Sequence, residues 1–301
     1  MSNLLLLIIC FSAGIILRKT GRFPESTPAA LNGFIIHVSL PALAILHVHR
    51  LTLDLSLGYA AGMAWLLFGS GVLFFRTVGR LARLSRETVG ALMLVGGLGN
   101  TSFVGLPLIE AYYGREFLGV GIVADMCGSF LVLSTLGVMT AVSFSSGDLP
   151  FRLMVRKILF FPPFQALLLA LLLRAVPFPA ELNMVLQRLG DTLTPLALVS
   201  VGFQLRLGAL RGELTPLAIG LLYKLLIGPA FIYLLYVVIS GGSGPVMRVT
   251  IFEAAMAPMI SAGIVAVDHR LNPPLVTLMI GLGIPLSFLT LSAWWWLLKW
   301  V

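Results

Sequence analysis

Charge is scarce in this chain. Only 11% of its 301 residues are Asp, Glu, Lys or Arg, against 58% that are hydrophobic, and the mean hydropathy is +1.02. A water-soluble domain needs far more polar side chain to cover its surface, so an aqueous globule is excluded and lipid is the natural solvent. Acidic residues are the scarcer sign, 12 against 20 basic, for a net charge of +8. In a soluble protein that excess suggests nucleic acid. Here the basic residues sit in short stretches between apolar runs, where they act as topology signals, and no nucleic-acid partner is expected. Cysteine is almost absent. Cys10 and Cys127 both lie inside apolar runs, with no CxxC spacing and no nearby His pair, so they read as small buried residues rather than a disulfide or metal site. There is no phosphate-binding loop, zinc pattern or catalytic triad. The chain therefore reads as neither an enzyme nor a cofactor protein, and no residues remain for a soluble output domain.

What is abundant is apolar run. The runs fall at 2–17, 29–48, 54–76, 88–109, 117–141, 153–175, 185–205, 213–239, 246–267 and 273–298. A spanning helix needs roughly 20 apolar residues, so the length allows about ten spans. The first run lacks a basic stretch before it and is followed by Arg18 and Lys19, which suits a retained helix with its N-terminus outside rather than a signal peptide. That orientation puts Arg18, Lys19, Arg22, Arg76, Arg80, Arg83, Arg86, Arg152, Arg156, Lys157, Arg206, Arg211 and Arg270 inside. The smaller set Arg50, Arg115, Arg174, Arg188, Arg248 and Lys299 lies outside, so both termini are placed outside a plasma membrane of bacterial inner-membrane type. Trp294, Trp295, Trp296 and Trp300 fit an interfacial aromatic belt.

The most hydrophilic loop, 142–152, divides the chain into a first five-helix repeat at 1–141 and a second at 153–301. Five is odd, so repeats of this kind must be inverted in the membrane. Similar intervals separate Pro41 from Pro107 and Pro195 from Pro258. The fourth run reads Gly96-Gly97-Leu98-Gly99-Asn100-Thr101-Ser102-Phe103-Val104-Gly105-Leu106-Pro107. Such a string resists a continuous helix, since glycine costs about 1 kcal/mol relative to alanine and proline removes a backbone donor. The ninth run breaks at the matching place, with Ala257, Pro258 and Ser261. Paired interruptions point to a transporter's solute site, where free N–H groups suit an anion and free carbonyls a cation.

Ionisable residues within the runs are the other candidates, because each costs about 2.5–3.5 kcal/mol to insert. Glu253 and Asp125 read equally as proton or cation coupling sites and as interhelical hydrogen bonders. Lys224 can neutralise either one or an anionic solute. His37 reads first as a structural hydrogen bonder and second as a proton relay. Gln204 lies too near the end of its run to count. Coupling to H+ or Na+ stays open at this point.

Several of these residues resemble the auxin efflux carrier family of membrane transporters, which includes plant auxin carriers and bacterial dicarboxylate permeases. The resemblance rests on Gly14-Ile15-Ile16-Leu17-Arg18-Lys19 with Gly21 and Phe23, on Ser39-Leu40-Pro41-Ala42-Leu43, and above all on Asn100-Thr101-Ser102-Phe103-Val104-Gly105-Leu106-Pro107-Leu108; Ala257-Pro258 adds to it. It implies an all-α membrane protein of ten transmembrane helices in two inverted five-helix repeats. Broken helices 4 and 9 would cross at their prolines. It further implies alternating access of the elevator type and small organic anions such as carboxylates as solutes; separately from the resemblance, a homodimer is left open as an assembly. Asn100, Thr101, Ser102 and Pro107 would line the site from helix 4, and Pro258 would mark helix 9. The plant carriers place a charged pair in helix 3; the third run has none between Asp54 and Arg76, so that proton route is not expected. The second reading is a sodium-coupled symporter of the bile-acid carrier type, which would need clustered carboxylates at the crossing.

Overall fold

The computed structural model describes residues 2–49, 51, 55–145, 155–156, 159–205 and 213–301. Arg50, Asp54, the stretch 146–152 of the central loop with Arg152, and Lys157, Arg206 and Arg211 lie outside the described residues.

Among the described residues every element is a helix, apart from one isolated pair of extended residues. We number them α1 Ser2–Lys19, α2 Thr27–Val48, α3 Leu57–Leu81, α4 86–96, α5 101–112, α6 Arg115–Phe144, α7 Pro162–Leu172, α8 Ala180–Gly190, α9 Leu193–Gln204, α10 Leu214–Ile239, α11 Pro245–Ala254, α12 Ile260–Asp268 and α13 Pro273–Leu298. Five of them, α2, α3, α6, α10 and α13, are single helices long and apolar enough to cross a membrane. The remaining apolar runs are shorter or divided. The fourth run becomes α4 and α5, and the ninth becomes α11 and α12.

Two expectations need correction. The seventh run, 185–205, is not one helix. It divides into α8 and α9 at Asp191 and Thr192, just before Pro195 in the first turn of α9. Asp191 accepts a hydrogen bond from Gln187 Nε2 at 2.7 Å and pairs with Arg115 at 2.9 Å, which holds this end in a polar setting. Second, the crossing falls at only one of the two expected prolines. Pro258 is there, but its partner is Gly99; Pro107 lies further along, in α5. The run of glycines, not the proline, interrupts the fourth segment. Pro41 lies inside α2 without ending it, flanked by wider π-type turns.

The helices sort into two sets by packing. One contains α1, α2, α7, α8 and α9; the other contains α3 to α6 and α10 to α13. In the first set α1 crosses α9 with backbone against backbone. A β-carbon added at Gly14 would stand 2.2 Å from the Val199 carbonyl oxygen, and one added at Gly202 would stand 2.2 Å from the Phe11 carbonyl oxygen. Close approach through small residues is how membrane helices associate where the hydrophobic effect gives no drive.

Gly14→Ala is therefore expected to destabilise the protein by about 1–3 kcal/mol despite alanine's better helix propensity, because a carbonyl cannot rotate away as a side chain can. Gly58→Ala, which meets nothing within 4 Å, is expected to be neutral or slightly stabilising. Thermal unfolding in detergent compares the two; equal melting temperatures would remove the claim.

Candidate functional site

The two interrupted segments meet. Gly99 and Pro258 face each other as an antiparallel pair. Asn100 N–H donates to the Ala257 carbonyl at 2.8 Å, and Met259 N–H donates to the Leu98 carbonyl at 3.2 Å. These two bonds flank the Gly99–Pro258 pair, which makes Pro258 the residue opposite whose position no N–H is called upon. Proline thus fits here at no cost in hydrogen bonds. Gly99 fits for a different reason: a β-carbon would come within 3.2 Å of the Lys224 Nζ. Gly283 of α13 makes room for the Pro258 ring, whose carbons a β-carbon there would approach to 2.7 Å.

Asn100 caps the second half of the fourth segment. Its Oδ1 accepts from Phe103 N–H at 3.1 Å, and its carbonyl accepts from Gly105 N–H at 2.9 Å. This satisfies donors that the start of α5 would otherwise leave bare. Thr101 and Ser102 then turn toward α6, where both hydroxyls donate to Asp125 Oδ1, at 2.5 and 2.9 Å. Thr101, Ser102, Asp125 and Lys224 all lie on π-type turns, within 101–105, 124–130 and 223–227. Such widened turns re-aim side chains and recur at functional positions.

Asp125, Lys224 and Glu253 are the fully buried charged side chains among the described residues. Lys224 Nζ donates to the Ala254 carbonyl at 2.8 Å. That carbonyl ends α11, so the ammonium sits at the negative pole of a helix dipole. The Glu253 carboxyl lies between α5 and α6: a β-carbon at Gly105 would be 2.5 Å from Oε2, and one at Gly121 would be 3.3 Å from Oε1. Neither Glu253 oxygen has a hydrogen-bond partner among the described residues, and the same holds for Asn100 Nδ2, Asp125 Oδ2 and Ser129 Oγ. The direct neutralisation expected of Lys224 does not take the form of a contact ion pair. Among the described residues neither Lys224 nor Glu253 has an ion-pair partner within 4.0 Å.

The structure brings together Asn100, Thr101, Ser102, Asp125, Ala257, Pro258, Glu253 and Lys224. It does not bring in His37, which is exposed on α2 and donates from Nδ1 to the Gly33 carbonyl at 2.9 Å. Pro107 is buried in α5, and Ser261 is half-buried in the first turn of α12. A cleft of about 700 Å³ opens beside the crossing, between α1, α2 and α9 on one wall and α12 and α13 on the other. Its lining includes Arg18, Asn32, Gln204, Ile260, Gly263 and Asp268, and none of the expected solute-binding residues. Gln204, set aside as too near a helix end, is thus a wall residue. It donates to Ser200, whose hydroxyl donates to Asn32 Oδ1 at 2.6 Å. The signal that could have found this trio is an uncharged amide or hydroxyl inside an apolar run.

Asp125, Glu253 and Lys224 are buried together with no contact ion pair among them, and removing one member of a buried ionisable set costs about 3–5 kcal/mol. Lys224→Met is expected to cost that much stability in thermal unfolding. Adding Glu253→Gln should restore at least about 1 kcal/mol of it. Strict additivity in the double-mutant cycle would show that the two groups do not interact.

A sequence profile of the family described as membrane transport protein matches residues 1–295. An uncharacterized transporter of Methanothermobacter thermautotrophicus is 27% identical over 297 residues, covering 97% of this chain and 96% of that protein. An uncharacterized transporter of Methanocaldococcus jannaschii is 24% identical over 309 residues, covering 99% and 98% respectively.

Proposed function

Because the chain belongs to the membrane transport protein family, that of the auxin efflux carriers, and is an integral membrane transporter, we propose that it moves small organic anions, carboxylates in particular, by alternating access at the crossing. The observation that carries this reading is the pair of interrupted segments hydrogen-bonded to each other amid buried polar groups that have no partner among the described residues. Under it, the two halves at 1–141 and 153–301 are inverted five-helix repeats, each supplying one broken helix.

The anion preference follows from the cleft. Ile260 and Gly263 line it, so the first turn of α12 faces it, and this helix start has no side-chain cap. Bare N–H groups and the positive dipole end favour a carboxylate there. Asn32 and Gln204 on the facing wall supply neutral polar contacts, and Arg18 at the mouth adds positive charge against the carboxylates of Glu25 and Asp268, so the anion preference rests on the helix start. The cleft opens at the α1–α2 and α12–α13 connections, the side on which the charge pattern places the cytoplasm. The protein is thus in an inward-open form under this reading.

The sodium-symporter reading is the weaker one. A sodium site would draw on carbonyl oxygens freed at the breaks. The Lys224 ammonium already occupies that position at the end of α11. A tethered cation there makes an external one redundant.

Uptake of labelled mono- and dicarboxylates into proteoliposomes, with sodium, potassium or choline as the external cation, tests both points. We expect at least one carboxylate to be taken up equally in all three. Asn100→Ala should reduce that uptake at least tenfold per folded transporter; losing the Oδ1 cap on Phe103 N–H should also lower the melting temperature, by the equivalent of about 0.5–2 kcal/mol, so uptake is normalised to folded protein. Normal uptake by Asn100→Ala would detach the crossing from transport, and uptake that required sodium would restore the second reading.

A further inference from the structure

A second cavity lies away from the crossing, where α3 ends and α4 begins. It is a groove of about 480 Å³ lined by Arg76, Arg80, Arg83 and Arg86, with Gly79 and Phe144 among its other walls. Loop arginines at a membrane face need no ligand to explain them, since topology alone selects them. These four differ in converging on one concavity. The chain is made to double back over it. Leu84 N–H donates to the Gly79 carbonyl at 2.9 Å, and Arg83 takes a left-handed φ of 52°, a position that favours glycine. The reversal sets Arg83 and Arg86 over the face that carries Arg76 and Arg80. The floor is tight, since a β-carbon at Gly79 would be 2.6 Å from Val89 Cγ2.

The positive charge is not spent inside the protein. Arg76, Arg80 and Arg83 make no side-chain hydrogen bond or ion pair among the described residues. Arg86 alone is anchored: its Nη2 donates to the Ser143 carbonyl, and its guanidinium lies 5.8 Å from the Phe144 ring centre. Glu87, next in the chain to Arg86, is exposed and makes no ion pair within 4.0 Å with these arginines. Three unpaired guanidiniums on one groove suit a phosphate, which they can meet with paired N–H donors.

The face below the arginines says what the phosphate is attached to. On α3 the positions Arg80, Arg76, Leu73, Gly69 and Leu66 follow one another at helical spacing, on one exposed stripe. Leu73 is 70% exposed and Leu66 39%, and nothing stands within 4 Å of a β-carbon at Gly69. A basic head position runs directly into an open apolar track toward the bilayer interior. Free phosphate has no use for such a track, whereas an acyl chain does. We propose that this groove is a binding site for an anionic phospholipid, with the headgroup phosphate held by Arg76, Arg80 and Arg83 and an acyl chain laid along Leu73, Gly69 and Leu66. Anionic lipids concentrate on the cytoplasmic leaflet, where juxtamembrane arginines each add to the attraction. The site needs only insertion in a membrane, so it stands or falls separately from the solute reading.

Native mass spectrometry of the full chain in detergent, titrated with phosphatidylglycerol or phosphatidylcholine, tests it. The parent should retain phosphatidylglycerol in preference to phosphatidylcholine. A variant with Arg76→Gln, Arg80→Gln and Arg83→Gln should lose about a hundredfold in phosphatidylglycerol affinity, while the remote pair Arg174→Gln and Arg188→Gln should lose almost none. Should the triple variant not fold, Arg80→Gln alone is expected to lose about fivefold. Unchanged affinity in the groove variants, or an equal loss in the remote pair, overturns the site. Binding of inorganic phosphate as tight as that of the lipid also overturns it, since the acyl track would then contribute nothing.

Discussion

A peptide group released from a helix inside a bilayer has no water to turn to, and everything else here follows from how two such sets of groups are satisfied. The breaks at Gly97–Asn100 and Ala255–Met259 bond to each other, through Asn100 to Ala257 and Met259 to Leu98. An unsatisfied backbone group at this depth would cost several kcal/mol. Neither break is tenable alone, so each is the condition for the other. The glycines and the proline are consequences of that pairing. Gly99 gives Lys224 its space, Gly283 gives the Pro258 ring its space, and Pro258 stands opposite Gly99 where its missing N–H is not needed.

The same pairing fixes the charges. Ending α11 at Ala254 exposes a carbonyl to which Lys224 can donate, and starting α5 at Thr101 presents two hydroxyls to Asp125. Had either segment run through as a plain helix, these carbonyls and hydroxyls would have been used within the helix. The ammonium and the two carboxyls would then have been left to face hydrocarbon. The break thus creates the polar environment that makes buried ionisable groups tolerable. Asn100 Nδ2, Ser129 Oγ and the Glu253 oxygens have no partner among the described residues, which do not exhaust that environment.

Much of this was legible in the sequence. Four glycines with Asn100, Thr101 and Ser102 inside an apolar run, mirrored by Ala257-Pro258, could hardly form two uninterrupted helices, and Asp125, Lys224 and Glu253 stood out by the cost of inserting them. The family was legible from the same fourth-run string. What was not legible depends on contacts between distant segments. The pairing of Pro258 with Gly99 rather than with the region of Pro107 is a matter of register between two segments, which local propensity does not encode. At the division of the seventh run Asp191 pairs with Arg115, far away in the chain, a contact that no local pattern announces. The cleft residues Asn32 and Gln204 carry no charge, so no insertion cost flagged them. The π-type turns that aim Asp125 and Lys224 leave no mark in composition at all.

The bonding of the crossing also limits how it can work under the proposed function. Opening the site by pulling the two breaks apart would strand four backbone groups in hydrocarbon at once. A motion that leaves the Asn100–Ala257 and Met259–Leu98 bonds intact avoids that cost. Such a motion must carry α4, α5, α11 and α12 together, with α3, α6, α10 and α13 packed around them. The surface between the two sets runs where α5 packs on α1 and α9 and α6 packs on α2 and α7, with the cleft opening beside it between α12–α13 and α1, α2 and α9. On the far side of that surface the backbone contact of Gly14 with Val199 holds α1 and α9 as one body. Physical chemistry thus favours relative movement of two preassembled sets of helices over a hinge within the crossing itself.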